Sequence, residues 1–365
     1  MGTGLGRFPS ILARCVILPL VGTALQFIFG DLPNEWLQYP FSVIAAINYV
    51  YLLVLLFYLK KTQPFVLTQS DTPHCTAVLL IIVFMTLIMG LSGVRFYHSW
   101  PFVLVLLHFM TITGFRTIAE LSHFRQSRKS ALIAHLGLFL LLVAAIFGNA
   151  DKRYITVNAP LEEEVNSGLD KQLNVQRLPF LVKLHKFELD EYPSEIMVPE
   201  GCTWESTSHF DNAIPQEDGT FKDMLHVGAA PATYVKATYQ GKPYEGWVSC
   251  GSFIFPPSYI ALPDSNYIYM PRPQARSYSS VLSVLHDDGT RTKQTIQVNH
   301  PMRVGSWCIY QKSYHVEQGK WSDVSILECV RDGWYPLSCI SLWLLMLSAV
   351  VAVLEVRILN KKISE

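Results

Sequence analysis

Charged residues are scarce in this chain of 365 residues: Asp, Glu, Lys and Arg make up 16% of it, where an average globular protein has about 25%. That scarcity excludes a disordered chain, which pairs high charge with low hydrophobicity. No excess of either sign exists, because 29 basic residues balance 29 acidic ones. A global basic field for nucleic acid is therefore lacking. Motifs of self-sufficient chemistry are absent as well. There is no H-E-x-x-H, G-x-S-x-G, phosphate loop or dinucleotide fingerprint, and no paired acidic motif suggests hydrolysis. No C-x-x-C occurs, which removes a thioredoxin-like thiol role, and the paired spacings of a structural zinc site are missing. Neither an internal repeat nor a low-complexity segment is evident.

What the chain has is apolar sequence, unevenly placed. Half its residues are hydrophobic. Six segments approach the roughly 20 apolar residues that span a bilayer: 11–30, 41–59, 76–94, 100–117, 130–149 and 335–356. Arg14 and Pro19 interrupt the first. No small-x-small cleavage site precedes Asp31, so a retained helix is expected there. Residues 150–334 differ, with alternating runs, Gly/Asp turns and ordinary charge. The fold expected is a polytopic α-helical membrane protein with one large extracytoplasmic, mainly antiparallel β domain. Its parts are a two-helix segment (1–75), a three-helix core (76–149), the β domain (150–334) and a closing helix with its tail (335–365).

Lys and Arg in short flanks set orientation. With the N-terminus inside, the inner flanks carry Arg7, Arg14, Lys60, Lys61, Arg116, Arg125, Arg128, Lys129, Arg357, Lys361 and Lys362, and the short outer loops only Arg95. Both termini are then cytoplasmic and 150–334 lies outside. Tyr39, Trp100, Trp334 and Tyr335 fall where interfacial aromatic rings are expected.

In the outer domain, alternating runs break at Gln240-Gly241, at Asp287-Asp288-Gly289 and at Gln318-Gly319, each a hairpin signal. A sandwich or an open barrel is expected. Cys202, Cys250, Cys308 and Cys329 all lie here. They are read as buried or structurally bridged, and four cysteines allow three pairings that sequence does not separate.

Ionisable groups inside a membrane are functional candidates by default. His108 and His135 qualify. His135 lies about 7 Å from the inner end of its helix, and His108 about 10 Å from the outer end of the one before. Across a core of ~30 Å their depths differ by roughly 13 Å, so the two imidazoles do not clamp one iron. A haem held by His135 needs its second ligand from another chain. Ala134, Gly137, Ala144 and Gly148 on the same helix permit close approach of a helix or a ligand. The competing reading for each histidine is a ring satisfied by a neighbouring helix.

Four stretches then line up with a family. FYHSWPFVLVLLHFMTITGFR (96–116) and HLGLFLLLVAAIFG (135–148) resemble consecutive core helices of ResB/CcsB proteins. IQVNHPMRVGSWCIYQKSY (296–314) resembles that group's Asn-x-Pro step followed by Gly-x-x-Ile-Tyr-Gln, and VRDGWYPLSCISLWLLML its junction into the last helix. The similarity covers about 76–357. The first two helices are additional, and the proline often found between an acid and glycine is missing at Asp332-Gly333.

The resemblance implies system II cytochrome c maturation at the inner membrane, with 150–334 periplasmic. It implies a CcsA/ResC partner and apocytochrome c as substrate. The partner's tryptophan-rich haem motif is absent here, so the chain is expected to be a subunit of a holocytochrome c synthase, not self-sufficient. His135 would be an axial ligand to a transient b-type haem shared with the partner; no catalytic residue is assigned. The alternative is a haem-free membrane-anchored binding or assembly protein. Asn299, Pro301, Gly305, Tyr310 and Gln311 in the outer motif are expected to shape a turn and pack a strand.

Overall fold

Long apolar runs fold as helices because a helix satisfies its own backbone polar groups where no water can. The computed structural model describes residues 8–32, 38–59, 72–94, 96, 98–286 and 288–364, with side chains from 16 to 357 within them. Arg7, Lys60, Lys61, Arg95 and Asp287, and the side chains of Arg14, Lys361 and Lys362, lie outside what is described. Six helices occur among the described residues: α1 (Phe8–Phe29), α2 (Phe41–Tyr58), α3 (Thr72–Ser92), α4 (Trp100–Ser122), α5 (Lys129–Gly148) and α6 (Tyr335–Ser364). The last five contain stretches long and apolar enough to cross a membrane, so this is a multi-pass membrane protein. The sixth expected segment also forms a helix: α1 has 22 residues with Pro19 inside it, and Val16–Phe29 is the apolar part of it that lies among the described side chains.

The chain divides into two compact units, Met1–Lys152 with Asp332–Glu365, and Arg153–Arg331. In the helical unit α5 is held at both ends by carboxylates. At its start, Glu355 of α6 accepts from the Lys129 N–H (2.8 Å), the Ser130 N–H (3.3 Å) and the Ser130 hydroxyl (2.6 Å). First-turn N–H groups have no partner inside their helix, and negative charge is favoured there. Just past its end, Asp151 accepts from the Trp334 indole (2.6 Å), the Ser42 hydroxyl (2.6 Å) and the Tyr39 N–H (2.5 Å). Two of the small residues on α5 serve close approach of protein. A Cβ at Gly137 would meet Leu344 Cβ and the Ser341 carbonyl at 3.1 Å, and one at Gly148 would meet Trp334 Cγ at 2.6 Å.

Among the described residues the second unit has fourteen strands: β1 (Arg153–Pro160), β2 (Glu164–Leu169), β3 (Val175–Glu191), β4 (Thr203–Pro215), β5 (Phe221–Asp223), β6 (Ala230–Tyr239), β7 (Lys242–Ser249), β8 (Ile260–Ala261), β9 (Tyr267–Ile268), β10 (Ala275–His286), β11 (Arg291–Gln297), β12 (Met302–Val304), β13 (Trp307–Tyr314) and β14 (Val324–Arg331). Eight form one antiparallel sheet in the order β11-β10-β3-β2-β1-β14-β13-β12. Its edge strands, β11 and β12, are consecutive in sequence and joined by a short turn bridged at Gln297 and His300. The sheet is thereby rolled into a barrel-like form, which decides between sandwich and barrel. Strand period places alternate residues on one face: Ile155, Val157 and Ala159 of β1, Phe180, Val182 and Leu184 of β3, and Leu327 and Cys329 of β14 fill a single core. A smaller sheet, β5-β4-β6-β7, and the β8–β9 pair enclose a second core around Val235, Val248 and Ile268.

The turn at Gln240-Gly241 has two positive φ values, 50° and 74°, as a two-residue hairpin requires. At the expected Asp287-Asp288-Gly289 turn, Gly289 has φ 80° and β10 pairs with β11. At Gln318-Gly319 the chain also turns as expected, with Gly319 at φ 58°, and β13 pairs antiparallel with β14. The connecting loop holds a 3-10 turn, Gly319–Trp321. Trp321 donates its indole N–H to the Ala229 carbonyl (2.8 Å) and Lys320 reaches Asn212 Oδ1 (2.7 Å). These distant contacts hold the loop in place.

Candidate functional site

The histidines singled out from sequence lie on adjacent helices with different partners. His135 Nδ1 is 2.8 Å from Glu120 Oε2, and the other oxygen of Glu120 takes a hydrogen bond from Arg116 Nε at 3.1 Å. Arg116 and Glu120 share a face of α4, being four residues apart, and the short 123–128 connection brings α5 back beside them. The Glu120 side chain is 9% exposed and that of His135 34%. A carboxylate only accepts hydrogen bonds, so with Glu120 ionised a neutral His135 has its proton on Nδ1 and its lone pair on Nε2. Among the described residues Nε2 has no hydrogen-bond partner.

His108 sits elsewhere on α4. Its Nε2 is 3.0 Å from Nε2 of His74, with the rings edge to face. Glu120 lies twelve positions further along α4 (120 against 108), about 18 Å at helical rise. His108 and His135 are not brought together, in agreement with the depth argument. His74 and Glu120 escaped the sequence reading because both fall just outside the apolar runs. A signal existed for each. Thr72-Pro73 is a helix-start pair, with proline in the first turn, and it puts His74 inside α3 at 5% exposure. Arg116 and Glu120 are a legible i, i+4 ion pair.

The outer motif builds the barrel. Asn299 takes a positive φ of 68° in the turn between β11 and β12, and Gly305 one of 57° between Val304 and Trp307. Pro301 leads into β12. Gln311 is buried and donates to Ser325 Oγ (2.8 Å) and the Ser313 carbonyl (3.0 Å), while Ser325 meets Ser280 at 2.8 Å. Tyr310 faces outward at 38% exposure.

The four outer-domain cysteines are free thiols: Cys250 and Cys329 are buried, Cys202 and Cys308 half-buried. No bridge joins them, which corrects that part of the expectation. Burial pushes the Cys329 thiol up to about 12 and raises that of Cys250. Cys250 lines a cleft of about 160 Å³ with Glu191, Arg272 and Lys320. Its neutral thiol is not an activated nucleophile. Among the described residues, no three His, Cys, Asp or Glu side chains gather as a metal site.

Residues 231–333 match the ResB-like family. This family is associated with cytochrome c biogenesis. The ResB-like segment runs from β6 to the end of β14 and includes Asn299, Pro301, Gly305, Tyr310 and Gln311, so the resemblance read from the outer motif is borne out. His74, His108, Glu120 and His135 precede the matched residues. No curated protein matches the chain.

Proposed function

We propose that this chain is the ResB-type membrane subunit of a system II cytochrome c maturation complex. With a CcsA/ResC-type subunit it translocates haem and presents it for covalent attachment to apocytochrome c. The observation that carries this is His135, on a membrane helix, with Nδ1 tied to a carboxylate and Nε2 open; the ResB-like outer domain supports it. That donor set fits one axial position of a haem iron, because a ligating imidazole ordinarily gives its second ring N–H to a carboxylate or carbonyl. Haem would supply the vinyl groups to which two cysteine thiols of the apocytochrome add as thioethers. His135 binds and orients this cargo. Glu120 accepts the Nδ1 proton in a hydrogen bond, and Arg116 bonds the other oxygen of Glu120. The second axial ligand comes from the partner subunit.

In this reading both termini are cytoplasmic and 150–334 is periplasmic. A phosphatase fusion at residue 240 should be active and one at 125 inactive; the reverse overturns the orientation. The central test is an absorption spectrum of the chain purified with its partner. The expected result is a Soret band that is lost in His135→Ala, regained in part with added imidazole, and unchanged in His108→Ala. A haem-free complex that still matures cytochrome c would sink the proposal in favour of a membrane-anchored assembly protein.

A further inference from the structure

Glu120 is a buried acid at the end of an apolar helix, where an ionised group is costly unless it is paired. Both its oxygens are used: Oε1 by Arg116 Nε at 3.1 Å and Oε2 by His135 Nδ1 at 2.8 Å. The two bonds do different things. Arg116 balances the charge from within the same helix, while His135 is, among the described residues, the one hydrogen-bond partner of this carboxylate on α5. The helix backbone is also pinned here, because Ser127 Oγ donates to the Glu120 carbonyl at 3.1 Å and to the His123 carbonyl at 3.1 Å. The acid therefore approaches the ring from a fixed turn. Meanwhile Glu355 fixes the first turn of α5, at Lys129 and Ser130, a little over one helical turn before His135. Ring and acid are each held on an anchored backbone.

We propose that Glu120 is the positioning residue of His135: by accepting the Nδ1 proton it fixes ring orientation and tautomer, so that Nε2 is a single outward-facing axial donor to haem iron. This rests on the reading of His135 as a haem ligand. Without the acid, the ring can turn about its side-chain bonds, and either nitrogen can carry the proton. Both changes dilute the ligating form. With the acid, the imidazole gains anionic character and becomes a stronger donor, which favours the ferric iron over the ferrous.

The test uses the full chain purified with its partner subunit, comparing Glu120→Ala, Glu120→Gln and His135→Ala by haem content and by the midpoint potential of bound haem. Glu120→Ala should weaken haem retention by about 10–100-fold, the usual cost of losing such a partner. Glu120→Gln should keep most of the haem, because the amide oxygen still accepts the Nδ1 proton. Its midpoint potential should rise, because a neutral acceptor lends the ring less negative charge. A purely structural role for Glu120 would not move that potential. If His135→Ala loses haem while Glu120→Gln keeps the wild-type potential, the positioning role is wrong and the ligand reading survives. If His135→Ala keeps its full haem content, the ligand reading fails first and this inference falls with it. Should Glu120→Ala not accumulate, the potential of Glu120→Gln decides alone.

Discussion

The two units of this chain both bury apolar clusters, but they differ in the polar contacts that join their parts. The barrel of the β unit is filled by apolar side chains, and the polar side chains buried among them, Ser280, Gln311 and Ser325, bond to one another. The helical unit is joined by carboxylates: Asp151 and Glu355 at the two ends of α5, and Glu120 at His135. The difference follows from the solvent. Water drives apolar burial in the β unit, whereas lipid is as apolar as leucine and cannot choose between two apolar helix faces. Specific docking of helices then falls to close approach at glycines and to polar contacts, and those polar contacts become available to chemistry.

The largest effect that would break this contrast lies in the barrel. Ile309 and Leu327 are fully buried. Truncating either to Ala should cost about 2–5 kcal/mol, read as a lower denaturation midpoint of the detergent-solubilised chain. Leu342 and Trp343 on α6 are 51% and 69% exposed, and replacing either with Ala should move that midpoint by less than about 0.5 kcal/mol. Equal losses at both places would mean that the exposed face of α6 is also held by apolar burial. Next in size comes Asp151→Ala. It strands the Trp334 indole and the buried Ser42 hydroxyl, at about 1–3 kcal/mol for each donor left unpaired. Asp151→Asn, which keeps one acceptor, should lose less. An Asp151→Ala protein of unchanged stability would remove the carboxylate from the account of how α2, α5 and α6 are joined.

Legibility in the sequence follows the same division. Five spans and the hairpins at Gln240-Gly241 and Gly289 could be read, because hydrophobic period and turn chemistry are local. The strand order could not, because β1 pairs with β14 across nearly the whole domain and nothing local encodes a partner that distant. His135 was legible as a charged-type residue in an apolar run. Glu120 was not, because the apolar run ends at 117 and the acid's importance comes from a ring fifteen residues further on (135 against 120). Asn299 and Gly305 were legible as turn residues, but their part in joining the sheet's two edges needed the strand order.

A smaller effect separates the units by pH. Burial holds the Cys329 thiol near 12, above the unfolded value of about 8.5. A raised pKa of this kind gives stability that is complete below about pH 8.5 and is lost as pH rises toward 12. Between pH 8 and pH 10 the β unit should therefore lose stability, and Cys329→Val should flatten that slope. In the other direction, Asp170, Asp218 and Asp288 are held below the usual carboxylate range by hydrogen bonds within their own turns. Their contribution is present above about pH 4 and lost as pH falls through their lowered values. A Cys329→Val protein with the wild-type alkaline slope would show that this thiol does not set it.

The smallest expected effect tests whether the ResB-like motif is architecture or chemistry. Tyr310 faces outward on β13, where burial and the neighbouring Cys308 raise its hydroxyl above the usual phenol range. A proton held that firmly is a poor acid at neutral pH. Tyr310→Phe should shift stability by no more than about 0.5 kcal/mol and leave cytochrome c assembly intact. Gly305 is the opposite case in the same motif. Its φ of 57° suits glycine, and a β-branched residue is strained there, so Gly305→Val should sharply reduce abundance because the β12–β13 turn cannot form. Abundance by immunoblot and assembly by covalent haem staining separate the two readings. A Tyr310→Phe protein at normal abundance that assembles no cytochrome c would place a working hydroxyl on the face of β13, and the apocytochrome would then be the partner to seek there.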